Sequence, residues 1–176
     1  MPIHQYDGFL SEDLYVETIQ TARHLLTLGN NLFATNQWWN THIVKDSAPV
    51  FVHNVNRESE LNANLRKTIE QKCQSKVPGN YGIGNVMIYY WTRYSYIPWH
   101  TDKDYFGAIT VYLNEEWQED FGGYFLYRDK KDIKAIIPKR NSAVLQYGGV
   151  NHCTTAVNFD GNMRITIQAF LHKNKE

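Results

Sequence analysis

The residues of this chain best suited to chemistry are two histidines and one aspartate. His100 and Asp102 are separated by a single residue, and His152 follows later in the chain. Two imidazoles and one carboxylate can occupy one face of an octahedral metal and leave three positions open, as in non-haem Fe(II) centres that react with O₂. Successive side chains of a strand alternate between its faces, so His100 and Asp102 can point the same way and chelate one ion. The sequence therefore predicts a metal site formed by these three residues.

The His-X-Asp tripeptide is weak evidence by itself, because it arises often by chance in a chain with seven histidines. The alternative is a half-buried histidine that makes a hydrogen bond to a neighbour. The context favours metal ligation. An apolar and aromatic run at 86–91 predicts a strand ahead of His100. Pro98, which cannot donate to a sheet ladder, marks a strand end or an edge strand.

A second functional candidate is Arg164, which begins a segment of strict polar and apolar alternation. Arg164 and Thr166 fall on one face of the predicted strand, opposite Ile165. The planar guanidinium could clamp a dicarboxylate. An ordinary surface strand with Arg164 in water is the alternative. The bulky Met163 and Phe170 at the two ends of the segment favour a pocket lining.

The composition argues against several classes of partner. The 176-residue chain carries 18 basic and 18 acidic residues, so no net charge draws it towards nucleic acid or an anionic membrane. No window approaches the roughly 18 apolar residues of a membrane-spanning helix, and residues 1–7 lack the features of a secretory signal. Cys73 and Cys153 show no metal-ligand spacing and are expected as reduced thiols. We therefore expect a cytoplasmic protein with neither nucleic acid nor membrane as a partner.

Hydrophobic periodicity predicts helices first and strands afterwards. Helical spacing covers about 11–28 and 58–75, with one or two strands between them in 40–54. Beyond residue 80 the pattern changes to short strands separated by turns, at 84–94, 108–113, 123–127, 134–137, 142–147, 152–157 and 163–171.

This order of elements predicts a mainly β fold. We expect one domain over residues 1–176, without internal repeats or linkers. Its core would be a double-stranded β-helix, or jelly roll, at about 81–172, buttressed by N-terminal helices at about 1–80. A metal would lie in the mouth of this jelly roll, where ligands from different strands converge.

Between residues 81 and 170 the chain resembles the 2-oxoglutarate- and Fe(II)-dependent dioxygenases, and among them the prolyl-4-hydroxylase-like branch. The resemblance rests on the metal-ligand and arginine pattern described above and on three further motifs. Tyr90 precedes His100, residues 112–117 match Tyr-Leu-Asn-x-x-Trp, and residues 122–125 match Gly-Gly-x-Leu with Phe125 in place of leucine. The interval between His152 and Arg164 is longer than in the closest metazoan-type relatives.

The resemblance implies a role for each matching residue. His100, Asp102 and His152 would hold the iron. Arg164 would bind the far carboxylate of 2-oxoglutarate, with support from the Tyr112 hydroxyl and from Thr166. Tyr90 would reach the metal-side end of the cosubstrate, or else be a tyrosine of the core.

The resemblance also implies an activity. With Fe(II), 2-oxoglutarate and O₂, and with ascorbate as a candidate reductant, the chain would hydroxylate an unactivated C–H bond and release succinate and CO₂. A peptide or protein proline is the first substrate it implies, and a free amino acid or other small molecule is the alternative. Four aromatic residues ahead of His100 would form a groove for such a peptide or fill the barrel edge, namely Trp91, Tyr94, Tyr96 and Trp99.

Two other classes of function stay open at this point, as does the oligomeric state. One is a catalytically silent, metal-binding jelly-roll module, which would have no need of Arg164 and Tyr112. The other is an oxygenase that uses the triad without 2-oxoglutarate and so forms no succinate.

Overall fold

The computed structural model describes residues 2–28, 33–34, 46–158, 161 and 163–174. Two α-helices lie in this part of the chain, α1 (Glu12–Leu28) and α2 (Glu60–Cys73), with a 3-10 turn at Glu119–Phe121. The strands are β1 (Ile3–Tyr6), β2 (Phe33–Ala34), β3 (Val50–Asn54), β4 (Tyr81–Trp91), β5 (Ile97–His100), β6 (Gly107–Tyr112), β7 (Phe125–Asp129), β8 (Asp132–Ile136), β9 (Ala143–Tyr147), β10 (His152–Thr154) and β11 (Arg164–Lys173).

The strands form two antiparallel sheets. The larger has seven strands in the order β1-β9-β6-β11-β4-β3-β2, and the smaller has four in the order β5-β10-β7-β8. Side chains of both sheets meet between them in one apolar cluster. Tyr112 and Val144 contribute from the larger sheet, and Phe125, Tyr127 and Ile136 contribute from the smaller. The predicted double-stranded β-helix is confirmed.

The two helices pack on the outer face of the larger sheet, where the largest core of the protein lies. Its members follow the periodicity of their elements, as shown by Leu14, Ile19 and Ala22 of α1, Leu61, Leu65 and Ile69 of α2, and Ile165, Ile167, Ala169 and Leu171 of β11. Ser59 begins α2, since its hydroxyl accepts a hydrogen bond from the backbone N–H of Asn62 at 3.2 Å. Neither helix is both long and apolar enough to cross a membrane in the part of the chain that the structure describes.

Tyr90 belongs to this outer core. It lies beside Ile165 in the sheet register, and its hydroxyl donates to the Ala22 carbonyl at 3.0 Å. Burial raises the pKa of the phenol. The assignment of Tyr90 to the cosubstrate pocket is therefore wrong, because its side chain points towards α1 and away from the space between the sheets.

The predicted helices both exist, and their ends shift by about two residues at most. Strand β3 lies within the predicted 40–54 segment, whereas residues 40–45 fall outside the described residues. Three short strands escaped prediction. β1 and β2 have too few residues for a clear period, and β5 contains a proline.

Tyr90→Phe tests the outer position of this side chain. The change removes one buried hydrogen bond between α1 and β4, so we expect the free energy of unfolding to fall by about 1 kcal/mol in chemical denaturation. Affinity for 2-oxoglutarate should be unchanged. A weaker affinity at equal stability would return Tyr90 to the pocket.

Candidate metal centre and cosubstrate pocket

The two histidines are brought together by the register of the smaller sheet. His152 of β10 lies directly opposite His100 of β5, and their ring centroids are 4.3 Å apart. β5 is an edge strand, as Pro98 predicts, and a bulge gives it one more residue than β10 between the paired positions. Such bulges re-aim a side chain and are common beside active sites.

Asp102 reaches the same point from outside a strand. β5 ends at His100, and the following turn is closed by a hydrogen bond of 3.1 Å from the Tyr105 N–H to the Asp102 carbonyl. The expectation of one extended strand through both ligands is therefore wrong, although the two side chains do converge. The Asp102 carboxylate lies 3.6 Å from His100 Nε2 and 3.7 Å from His152 Nε2. One ligand atom from each of the three residues falls within 4.8 Å of the others.

Backbone carbonyls fix the orientation of both imidazoles. His100 Nδ1 lies 2.8 Å from the Pro98 carbonyl, and His152 Nδ1 lies 2.9 Å from the Val150 carbonyl. A carbonyl can only accept, so each Nδ1 carries the proton of a neutral ring and each Nε2 keeps its lone pair. Metal-binding histidines are commonly held in this way. The donor set, two Nε2 atoms and a carboxylate oxygen, fits Fe(II) with open positions.

The three groups shift one another's pKa. Burial raises the pKa of Asp102, but contacts with His100, His152 and Gln146 outweigh it and leave that pKa lowered. Burial alone would lower the pKa of His100, yet the Asp102 carboxylate and the Pro98 carbonyl leave it above its ordinary 6.5. For His152, burial dominates and the pKa is lowered. Without a metal ion, the ionised Asp102 carboxylate thus favours the protonated form of His100 up to a higher pH than usual, and the neutral form described above is the one that can bind a metal.

Arg164 lies between the sheets and not at the surface. Its side chain is 2% exposed, and its guanidinium carbon stands 4.8 Å from the Trp91 ring centre and 5.1 Å from that of Tyr112. Among the described residues, Arg164 Nε and Nη1 and the Tyr112 hydroxyl have no hydrogen-bond partner. Burial raises the pKa of Tyr112 and lowers that of Arg164, and the proximity of the two side chains opposes both shifts without cancelling them. A buried, unpaired guanidinium is unfavourable by several kcal/mol, so this pocket fits an anion such as the far carboxylate of 2-oxoglutarate.

Thr166 is also buried in this pocket, next to Arg164 on the same strand face. Its hydroxyl accepts a hydrogen bond from Trp91 Nε1 at 3.1 Å. The hydroxyl proton is free to turn towards a bound carboxylate, so the assignment of Thr166 to the cosubstrate pocket stays a prediction.

The Tyr-Leu-Asn-x-x-Trp segment anchors the start of β11. Asn114 accepts from the Ile165 N–H at 2.8 Å and donates to the Met163 carbonyl at 3.0 Å, so it binds both neighbours of Arg164. Trp117 at the end of the segment donates to the Gly122 carbonyl at 2.9 Å. These contacts explain the motif physically, because they set the position from which Arg164 enters the pocket.

Gly123 leaves the space that the arginine side chain occupies. A Cβ at this position would lie 2.9 Å from Arg164 Cδ, and the φ angle of +65° also favours glycine. The Gly-Gly pair is therefore required both by the turn and by the neighbouring side chain.

Several site residues escaped the sequence reasoning. Tyr89, and not Tyr90, lies beside Thr166 on the inner face, because a uniformly apolar strand gives no sign of which side is which. Gln146 donates to the Asp102 carboxylate. Its one signal is a polar residue in the otherwise apolar strand β9.

Three of the four aromatic residues ahead of His100 do not line a groove at the metal. Trp91 is buried under Arg164, and Trp99 lies on the other face of β5 from His100, where Arg128 stacks on it. Tyr94 lies in the loop after β4 with a φ of 67°, and its N–H donates to the Val157 carbonyl. These rings therefore do not form one surface at the metal.

Comparison with known proteins supports the chemistry of the site. Residues 85–172 match the sequence model of the 2OG-Fe(II) oxygenase superfamily. No curated protein matches the chain by sequence.

Solved structures share the fold at low identity. A prolyl-4-hydroxylase from Pseudomonas putida is 16% identical, with a TM-score of 0.78 over 99% of this chain and 94% of that one. A prolyl hydroxylase from Trichoplax adhaerens, in complex with a hypoxia-inducible-factor peptide fragment, is 15% identical, with a TM-score of 0.80 over 98% and 84%. HygX from Streptomyces hygroscopicus, with nickel, 2-oxoglutarate and hygromycin B bound, is 9% identical, with a TM-score of 0.67 over 97% and 83%.

Metal binding should weaken as the pH falls. The raised pKa of His100 means that its proton is still bound somewhat above pH 6.5 and must leave when a metal ion binds. Affinity for Co(II) should therefore rise with pH through this range, with proton release measurable by calorimetry in buffers of different ionisation enthalpy. Binding without proton release just above pH 6.5 would contradict the pairing of His100 with Asp102.

Arg164→Met should abolish the response of the protein to 2-oxoglutarate. Removal of a buried charged hydrogen-bond donor should weaken binding by about 100-fold or more, seen as a lost thermal shift. The ligand-free variant should melt no lower than the unmodified protein, because no unpaired charge remains inside. Arg66→Met is the matched control, since Arg66 donates to the Gly84 and Ile83 carbonyls. It should melt lower and keep the response, and a retained response in Arg164→Met would rule out the clamp.

Proposed function

The chain belongs to the 2OG-Fe(II) oxygenase superfamily, and from this premise we propose that it hydroxylates an unactivated C–H bond of a prolyl residue in a peptide or protein. The family is one of enzymes that use Fe(II) and 2-oxoglutarate. O₂ would be the oxidant, succinate and CO₂ the coproducts, and ascorbate a reductant that keeps the iron active. We also propose that residues 1–176 act as one domain.

The observation that carries the proposal is the uncompensated guanidinium of Arg164 inside the same jelly roll as the triad. Arg164 and Tyr112 together offer buried donors that lack partners among the described residues. A silent metal-binding module gains nothing from such a pocket, and neither does an oxygenase that dispenses with 2-oxoglutarate. A dicarboxylate cosubstrate explains why the charge is buried there.

Each residue of the site would have a distinct task. When bound, Fe(II) with 2-oxoglutarate and O₂ supplies the oxidising power for the C–H bond. His100 and His152 would hold the ion through neutral Nε2 atoms, and Asp102 would add the negative charge. Arg164 and the Tyr112 hydroxyl would orient the cosubstrate by its far carboxylate.

The rings around this centre would keep water out. Phe125 stacks on His152 with a centroid separation of 5.1 Å, and Tyr127 and Val144 extend the same buried cluster. A dry wall limits side reactions of an oxidising centre and strengthens the electrostatic contacts inside it.

An aromatic pair at the metal end supports proline as the target. Tyr105 follows Asp102 in the same turn, is 37% exposed and stacks on Phe170 at 4.1 Å. His172 meets the edge of the Tyr105 ring at 5.1 Å. The flat, apolar face of such a pair suits packing by a pyrrolidine ring. The fold is also shared with prolyl hydroxylases, including a viral collagen prolyl hydroxylase at 17% identity.

A small molecule is the second candidate. The same fold occurs in the epimerase SnoN from nogalamycin biosynthesis and in HygX with hygromycin B bound. The Tyr105 face could also take the ring of a sugar or of a free amino acid. The two substrate classes are distinguished by which of them packs against the Tyr105 ring.

Succinate release against a panel of substrates tests the proposal. Proline-containing peptides should raise succinate formation and gain one oxygen by mass spectrometry, whereas the same peptides with alanine for proline should do neither. His100→Ala and Asp102→Ala should reduce turnover to background through loss of metal. His24→Ala is the matched control, because His24 is exposed on α1.

Tyr105→Ala separates the two substrate classes. The KM for a proline peptide should rise about tenfold, in line with the loss of one aromatic contact, while substrate-independent consumption of 2-oxoglutarate continues. Turnover of free amino acids but of no peptide would favour the hypothesis of a small-molecule substrate. Iron binding without any succinate would exclude an oxygenase that depends on 2-oxoglutarate.

A further inference from the structure

Asp102 is the one member of the triad that no strand holds. His100 ends β5 and His152 begins β10, so both backbones are fixed by the ladder of the smaller sheet. The Asp102 backbone lies in the turn that follows β5. A short acidic side chain on a turn has several accessible rotamers, so its orientation needs another source.

Gln146 supplies a contact of the required kind. Its side-chain N–H donates to Asp102 Oδ2 at 2.5 Å, and the residue is 3% exposed. Only the amide nitrogen can make this contact, because an ionised carboxylate accepts and cannot donate. The two oxygens of Asp102 differ in their partners. Oδ1 lies 3.6 Å from His100 Nε2, whereas Oδ2 lies 3.7 Å from His152 Nε2 and also accepts the hydrogen bond from Gln146.

The backbone of Gln146 is rigidly placed. β9 lies between β1 and β6 in the larger sheet, and Gln146 is opposite Ile3 on one side and Ala108 on the other. Its side chain points inwards on the same face as Val144, which belongs to the cluster between the sheets. The Gln146 amide thus reaches Asp102 from a strand that is hydrogen-bonded to a neighbouring strand on each side.

We propose that Gln146 is a positioning residue that orients the Asp102 carboxylate through Oδ2, so that the carboxylate binds the metal through one oxygen. The inference rests on the metal centre of the proposed function. A carboxylate can bind a metal through one oxygen or through both. Binding through one oxygen keeps three coordination positions open, and binding through both would take one of them.

A neutral amide suits this task better than other donors. A lysine or arginine in its place would satisfy the carboxylate equally well, but its charge would repel the cation that the carboxylate is there to bind. Methionine has similar bulk and no donor. Glutamine therefore combines a hydrogen-bond donor with the absence of charge.

A purely structural role predicts a different outcome. If the hydrogen bond only satisfies a buried carboxylate, its loss should lower the melting temperature and leave metal affinity unchanged. If it positions Asp102, its loss should weaken metal affinity in a protein that still folds.

Gln146→Met decides between these roles. Titration of the purified full chain with Co(II), without air, should show a dissociation constant raised about 10- to 100-fold, as for other groups that orient a metal ligand. Gln5→Met is the matched control, because Gln5 lies on the neighbouring strand β1 and is exposed. It should bind Co(II) as the unmodified protein does. Circular dichroism of the metal-free variants shows whether each is folded.

The outcomes separate this inference from the proposed function. If Co(II) binding to the unmodified protein does not depend on His100, the metal centre itself fails. If binding depends on His100 but Gln146→Met binds within twofold of the unmodified protein, the centre stands and the role of Gln146 is overturned. Should Gln146→Met not fold, Gln146→Asn provides the same test, since its amide is one methylene too short to reach Asp102.

Discussion

The structure depends on a positive charge that the described residues leave uncompensated. Arg164 begins the central strand β11 of the larger sheet, and its guanidinium lies between the rings of Trp91 and Tyr112. Much of the surrounding sequence serves to keep it there. Asn114 binds the backbone on both sides of it, and Gly123 leaves room for its methylenes. A fold that maintains an unfavourable group at this expense needs a ligand to neutralise it.

The two faces of the larger sheet have different roles. The outer face buries α1 and α2 in the main core and supplies most of the apolar contacts. The inner face carries the polar residues of the pocket, and the smaller sheet opposite it carries the two imidazoles of the triad. Stability and chemistry thus come from opposite sides of the same strands, which is why alternation along β11 is so strict. Ile165 and Ile167 belong to the outer core with the helices, while Arg164 and Thr166, on the opposite face of the strand, line the pocket.

The sequence predicted those parts of the site that have a local pattern. The triad and Arg164 combine distinctive residue types with the right spacing, and the structure brings the triad together. Tyr90 was misplaced by one position, because 86–91 is apolar throughout and a shift of one residue exchanges the faces of a strand. Gln146 could not be predicted, since its contact with Asp102 joins positions far apart in the chain. Strand β5 was missed because it is short and contains Pro98, although that same proline correctly indicated an edge.

The site spans the gap between two sheets that are separate hydrogen-bonded units. His100 and His152 belong to one, and Arg164 and Tyr112 to the other. A molecule that is bound by both groups bridges the two sheets, so its binding free energy depends on the distance between them. A small increase in the distance between the sheets would weaken these contacts while the backbone hydrogen bonds within each sheet stay intact. Binding of such a molecule therefore depends on the packing of the two sheets against each other, which helical or strand content does not report.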